Sequence, residues 1–148
     1  MTATGTEAFP KAGALPYLIV ARARDAIDWY RSVFGATLAG DPVVMEDGRI
    51  GHAELGFPTG MVYLAEEFPE MGLSAPEAGA TSVSLMLPVQ DTDAVLARAR
   101  DAGGTVERWI TEGHGHRNAT LVDPFGHRWM LVGPPAGRRQ DGSGRTGR

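Results

Sequence analysis

Apolar and polar positions change rhythm several times along this chain, and the changes divide it into two similar halves. "LPYLIV" (15–20) and "SVSLML" (82–87) each read as a short strand. After the first, apolar residues fall at Ala26, Trp29, Tyr30 and Val33, the i, i+3, i+4, i+7 spacing of a helix with one buried stripe. After the second, "DTDAVLARARDAGG" predicts another helix, with Asp91 as N-cap and Gly103 just past its end. Strand patterning follows around 37–46, 50–57 and 61–66, and again around 105–110, 117–122 and 128–132. Each half therefore predicts β-α-β-β-β. Between them lies the Pro- and Gly-containing stretch "EEFPEMGLSAPEAGA".

The halves also align in sequence. Setting "DAIDWYRSVFGATL" from Asp25 against "DAVLARARDAGGTV" from Asp93 takes an offset of 68 and superposes Gly35 on Gly103. "HAEL" at 52–55 falls on "NATL" at 118–121 with an offset of 66, and the same shift places Tyr63 on Trp129 and Leu64 on Met130. A duplicated module is the simplest reading. The expected fold class is α+β: two tandem βαβββ modules whose curled mixed sheets form a concave cleft. The expected organisation is one domain over 14–133, with module one at 14–67, a linker at 68–80 and module two at 81–133. Residues 1–13 and the basic tail 134–148 are expected to be disordered.

Alternation assigns side chains to faces, since each sheet must bury one face under its helix. Ala53, Leu55 and Phe57 belong under the first helix, which sends His52 and Glu54 to the other face. Ala119, Leu121, Trp129 and Leu131 belong under the second, leaving Asn118, Thr120, Arg128 and Met130 opposite. By the repeat, Val62 and Leu64 also face outward, with Ser84 and Met86 from the strand at 82–87. The outward face mixes polar and apolar groups, as small-molecule clefts do. A solvent-exposed or dimer-forming sheet face is the alternative.

Composition narrows the chemistry. The 148 residues include no cysteine, which excludes disulfides, zinc–thiolate and iron–sulfur sites and thiol nucleophiles. No apolar run approaches the roughly 18 residues of a membrane span. No charged segment followed by an apolar one opens the chain, so a cytoplasmic location is expected. The charge of −4 is uneven: residues 14–133 set nine arginines against sixteen acidic residues, net −7, and the tail carries four arginines against one aspartate, net +3. An acidic domain argues against nucleic-acid binding and favours cationic ligands. There is no phosphate-binding glycine loop and no Gly-x-Ser-x-Gly elbow.

The duplicated module, "AIDWYRSVFGA" in the first helix and "DPFGHRWML" (123–131) in the last turn resemble the vicinal oxygen chelate superfamily of glyoxalases, bleomycin-resistance proteins, extradiol dioxygenases and fosfomycin-resistance enzymes. The resemblance covers roughly 14–133 and implies its fold. Metal-using members take His, Gln or Glu ligands from four places, which fall here at about Leu15, Leu64, Ser84 and Met130. None of these is a good ligand for a hard divalent cation. Met86 stands where related sequences often carry His, and His116-Arg117 where they often carry Asp-Arg. The resemblance therefore implies a metal-independent protein of bleomycin-resistance type, without cofactor, that binds and sequesters an aromatic or cationic small molecule as a homodimer. The alternative is a glyoxalase-like lyase or isomerase, or a dioxygenase, with a non-standard metal site.

The expected ligand-binding set is His52, Glu54, Leu64, Ser84, Met86, Trp109, Asn118, Thr120 and Met130, with no metal ligand. If the protein is an enzyme, His52 and Glu54 are its catalytic candidates: neighbours on one strand face, a carboxylate and an imidazole can share one substrate. Glu112, His114 and His116 form a possible second cluster on a Gly-rich loop read as mobile, though their spacing fits no standard site. His127 reads as a turn-packing residue. Trp109 is either a stacking platform or an ordinary packing contact.

Overall fold

A computed structural model describes residues 13–137. The stretches 1–12 and 138–148, which hold nearly all of the two expected disordered ends, lie outside the described residues. The first half contains β1 (Tyr17–Val20), α1 (Ala23–Phe34), β2 (Thr37–Leu38), β3 (Val43–Val44), β4 (Ile50–Gly56) and β5 (Met61–Glu66). A 3-10 turn at Pro69–Met71 follows. The second half contains β6 (Ser84–Pro88), α2 (Thr92–Asp101), β7 (Thr105–Gly113), β8 (His116–Val122) and β9 (Arg128–Gly133). The βαβββ plan is thus present twice, with the strand expected over 37–46 reduced to two short pieces around a turn. No helix of the described residues is long and apolar enough to cross a membrane.

The two sheets share one topology. The first runs β1-β5-β4-β2 with β3 also on β4, and the second runs β6-β9-β8-β7. In each, the strand before the helix pairs parallel with the last strand of its module, and the remaining neighbours are antiparallel. The helices end as their sequences dictate. Asp91 accepts a hydrogen bond from the Ala94 amide at the start of α2, and Gly35, at φ 74°, closes α1 in the left-handed region.

One core joins the halves. Trp29 and Tyr30 of α1 pack with Phe34, Phe125 and Trp129, so the first helix buries aromatic surface against the last strand of the second module. Three polar links cross the same boundary: Trp29 Nε1 donates to the Ala102 carbonyl (2.8 Å), Arg98 donates to the Val33 carbonyl, and the His127 ring donates to the Ile19 carbonyl (3.0 Å). His127 therefore ties the turn at 123–127 to β1, and Trp29 and Trp129 belong to the core as expected.

The structure corrects one face assignment. Val62 and Leu64 are buried in the core beneath α1, and Tyr63 occupies the opposite face. Ala53 lies opposite Leu64, whereas Ala119 lies opposite Leu131, so the true offset in the last strand is 67 rather than 66. Four residues (57–60) separate β4 from β5, but five (123–127) separate β8 from β9. One residue of difference in a hairpin connection inverts every side chain of the following strand.

Candidate functional site

Three neighbouring strands build a polar cluster on the open face of the first sheet. Tyr17 on β1 lies beside Tyr63 on β5, and Tyr63 lies beside Glu54 on β4. His52 precedes Glu54 by two residues and so shares its face. Glu54 Oε2 lies 2.9 Å from His52 Nε2, and the Tyr17 hydroxyl lies 2.6 Å from His52 Nδ1. A carboxylate only accepts, so Nε2 carries the hydrogen; the neutral ring then offers a lone pair at Nδ1, to which Tyr17 donates. The result is an unbroken chain from phenol to imidazole to carboxylate. Burial, reinforced by the nearby Glu54 and Tyr63, holds the Tyr17 phenol above its ordinary pKa.

The Tyr63 ring stands edge-on to both His52 (centroids 5.0 Å apart) and Tyr17 (5.9 Å). Its residue is only 5 % exposed, and its buried hydroxyl has no hydrogen-bond partner. An unpaired buried hydroxyl costs about 1–3 kcal/mol and calls for an explanation. A polar group on a guest, or a water, would supply one.

Beside this cluster lies an apolar cavity of about 430 Å³, walled by Tyr17, Ile19, Met45, Ala65, Phe68, Met71 and Leu73. One wall is the segment that follows β5. Phe68 and Leu73 exchange backbone hydrogen bonds across the 3-10 turn, and Arg49 fastens that turn to β4. The Arg49 guanidinium donates to the Glu67 carbonyl (3.0 Å) and to Glu70 (2.8 Å), lies 4.0 Å over the Phe68 ring and also pairs with Asp47. None of Ile19, Met45, Ala65, Phe68, Met71 or Leu73 was picked out by the sequence pattern.

The open face of the second sheet has its own, smaller hollow of about 300 Å³, lined by Ser84, Glu107, Arg108, Thr120, Arg128 and Met130. Arg128 donates there to Glu107 (3.0 Å) and to Ser84 (3.3 Å). Met86 lies across the strand pair from Met130 and is 65 % exposed. Asn118, two residues before Thr120, shares its face. Trp109 is 57 % exposed on the edge strand β7, within the second of two irregularities in its register with β8. The first hollow is walled by module one and the linker that follows it and the second by module two, so within one chain His52 and Glu54 do not meet Thr120 and Met130 in a common cavity. A larger hollow, about 660 Å³, lies between the turn Asp123–Gly126 and linker residues such as Pro76, and shares Glu107 and Arg128 with the hollow of the second sheet. Its acids, Glu107 and Asp123, are already bonded, Glu107 to Arg128 and Asp123 to Tyr30 and Trp129.

Two further expectations change. Leu64, expected to line the cleft, is fully buried on the core side, and Tyr63 takes its place. The loop at 112–116 is a tight hairpin turn rather than a mobile loop. His114 (φ 54°) and Gly115 (φ 79°) both adopt the left-handed conformation that a two-residue turn of this kind requires. Glu112 there bonds Arg117, which also holds Asp93.

The metal corners implied by the resemblance become Leu15, Tyr63, Ser84 and Met130 once the register is corrected, and offer neither carboxylate nor imidazole. His52 and Glu54 are bonded to each other, and among the described residues no three His, Asp or Glu side chains converge on a point. This donor set does not fit a hard divalent cation.

Two βαβββ modules with open, half-apolar sheet faces define a glyoxalase-type α+β protein. Residues 13–131 match the Glyoxalase/Bleomycin resistance protein/Dioxygenase superfamily, and the chain belongs to it. An uncharacterised protein of Mycobacterium tuberculosis is 36 % identical over 124 residues, 80 % of this chain and 72 % of its own length. Among solved structures, TioX from Micromonospora sp. ML1 superposes with TM-score 0.60 and 25 % identity, covering 83 % of this chain and all of its own. The fosfomycin resistance protein FosX from Listeria monocytogenes shares the fold at TM-score 0.66 and 15 % identity, covering 88 % of this chain and 99 % of its own.

Proposed function

We propose that this protein binds and sequesters a small natural product without a metal, in the manner of the bleomycin-resistance members of its superfamily. The observation that carries this reading is the apolar cavity beside the Tyr17–His52–Glu54 chain. The apolar or aromatic body of a guest fills the hollow among Met45, Phe68 and Met71. A cationic or hydrogen-donating head reaches the partly exposed Glu54. Burying about 300 Å² of apolar ligand surface contributes about 7 kcal/mol before association costs, enough for useful affinity in a preformed site. His52, Glu54 and Tyr63 supply the orientation.

The second half of the site comes from a second copy. The exposed Met86, Met130 and Trp109 give the second sheet an apolar face, and a homodimer that sets it against the first sheet of its partner encloses the guest on both sides. Superfamily membership supports the reading, since bleomycin resistance proteins are part of the family's own description.

Calorimetric titration with bleomycin and a panel of cationic aromatic natural products is the test. Binding of at least one compound with Kd near or below about 10 µM is expected. It should weaken at least tenfold in Glu54→Ala, and the ligand should be recovered intact by mass spectrometry. No heat across the panel, or alteration of a ligand that presents no acidic C–H proton, would overturn the proposal. Sedimentation velocity checks the dimer separately, with Met86→Asp expected to give monomer.

A further inference from the structure

The hydrogen-bonded chain beside the cavity has the connectivity of an activated hydroxyl. Glu54 holds His52 through Nε2, His52 accepts at Nδ1 from Tyr17, and Tyr17 alone of the three lines the apolar hollow. We infer that Tyr17, His52 and Glu54 form a metal-free proton relay that removes an acidic C–H proton from an apolar guest held in that hollow. This is a further activity of the same cavity. It rests on the cavity accepting apolar guests and adds chemistry only for those that present such a proton at Tyr17.

The roles follow from position. In serine–histidine–aspartate sites a hydroxyl that is a poor acid becomes reactive because an oriented imidazole takes its proton in the same step. Here the phenol oxygen would accept the substrate proton while its own passes 2.6 Å to His52 Nδ1. The resulting imidazolium is stabilised by Glu54 at 2.9 Å. Tyr17 and His52 are the catalytic residues and Glu54 a positioning residue. The raised pKa of Tyr17 keeps the resting group a neutral phenol, so its oxygen serves as a base only in the step in which His52 takes its proton. The groups facing His52 are all assigned: Tyr17 from β1, Tyr63 from β5, Glu54 from its own strand and the apolar Val43 from β3. The Tyr63 ring, edge-on to both Tyr17 and His52, packs the cluster from the third strand.

The probe is 5-nitrobenzisoxazole, a flat, apolar carbon acid. Removal of its C–H proton makes the carbon–nitrogen triple bond, breaks the N–O bond and releases 2-cyano-4-nitrophenolate, with no oxidant or second substrate. The proton resides on the relay until it is returned to water. The full chain should give saturable absorbance growth. Because a positioned base contributes about 10²–10⁴-fold, kcat should fall at least tenfold in Tyr17→Phe and in His52→Gln. Glu54→Gln should lose turnover and Glu54→Asp should recover part of it. The parent protein should bind 8-anilinonaphthalene-1-sulfonate, and His52→Gln, whose side chain lies outside the cavity wall, should bind it within twofold, which shows a folded cavity; His52→Asn replaces His52→Gln if the latter fails that check. Turnover equal in the parent protein and in His52→Gln would overturn the relay, and retention in Tyr17→Phe would overturn Tyr17 as its terminal group. Dye binding without His52-dependent turnover would refute the relay alone, leaving the cavity as a binding site. Loss of both would refute the relay and the cavity together.

Discussion

Asp123 shows how much one buried side chain can organise. It lies in the turn before β9, only 4 % exposed. Its Oδ1 accepts from the amides of Phe125 and His127, which shapes the turn. Its Oδ2 accepts from the Tyr30 hydroxyl and the Trp129 indole, which joins that turn to α1 and to β9. The motif "DPFGHRW" is therefore a structural latch. Tyr30→Phe removes one donor and should cost about 1 kcal/mol, because the carboxylate keeps three others. Asp123→Asn should cost more, about 2–3 kcal/mol, since in either orientation its amide NH2, itself a donor, must face one of the two pairs of donors. Urea unfolding measures both. Burial, then the adjacent Asp123, push the Tyr30 pKa well above its ordinary value of 10.0. The native state thus favours the neutral phenol, and the contribution is complete below pH 10. It falls away above that, where the unfolded chain ionises and the folded one does not. Stability should therefore drop as pH rises above about 10, and Tyr30→Phe should flatten part of that slope.

The elements were legible in the sequence where a single periodicity decided them. The i, i+3, i+4, i+7 stripe of α1 is buried as its spacing required, and Asp91 caps α2 as its position required. The face of β5 was not legible from the repeat. "MVYLAE" is apolar on both parities, since Val62 and Leu64 pack the core while Tyr63 and Ala65 are buried on the other side. Only the one-residue difference between the connections 57–60 and 123–127 carried the correct register. That slip hid Tyr63, and with it the fact that His52 and Glu54 have aromatic neighbours. The Phe68–Leu73 wall was hidden for a different reason: it comes from a segment that reads as linker and becomes structure only through Arg49, a contact 18 to 21 residues distant. This clamp is testable. Arg49→Met should raise hydrogen exchange at the Phe68 and Leu73 amides at least tenfold, while exchange within α1 is unchanged. Added salt should produce a weaker version of the same effect in the parent protein, because the Glu70 and Asp47 pairs are partly exposed.

The two modules are repeats in sequence but not independent units in space. A repeat that folded alone would keep its aromatic residues under its own helix. Here Trp129 of the second sheet packs against Tyr30 and Phe34 of the first helix, and the first module's Phe57 also reaches it. Polar bonds from Trp29, Arg98 and His127 cross the same boundary. Both helices are therefore committed to one interior, which leaves both sheet faces outward and free to carry binding groups. The arrangement explains why the hollows on the two outward faces are separate within one chain. It also predicts the unfolding behaviour. Trp129→Ala should cost about 3–5 kcal/mol, the range for deleting a buried large aromatic side chain. The loss should fall on both modules at once. Exchange at the Tyr63 and Leu64 amides of β5 should rise in step with exchange at Leu121 of β8, and urea transitions followed by fluorescence and by far-UV circular dichroism should stay coincident. If β8 opened while β5 stayed protected, the modules would be separable folding units, and the two outward faces would owe nothing to a shared core.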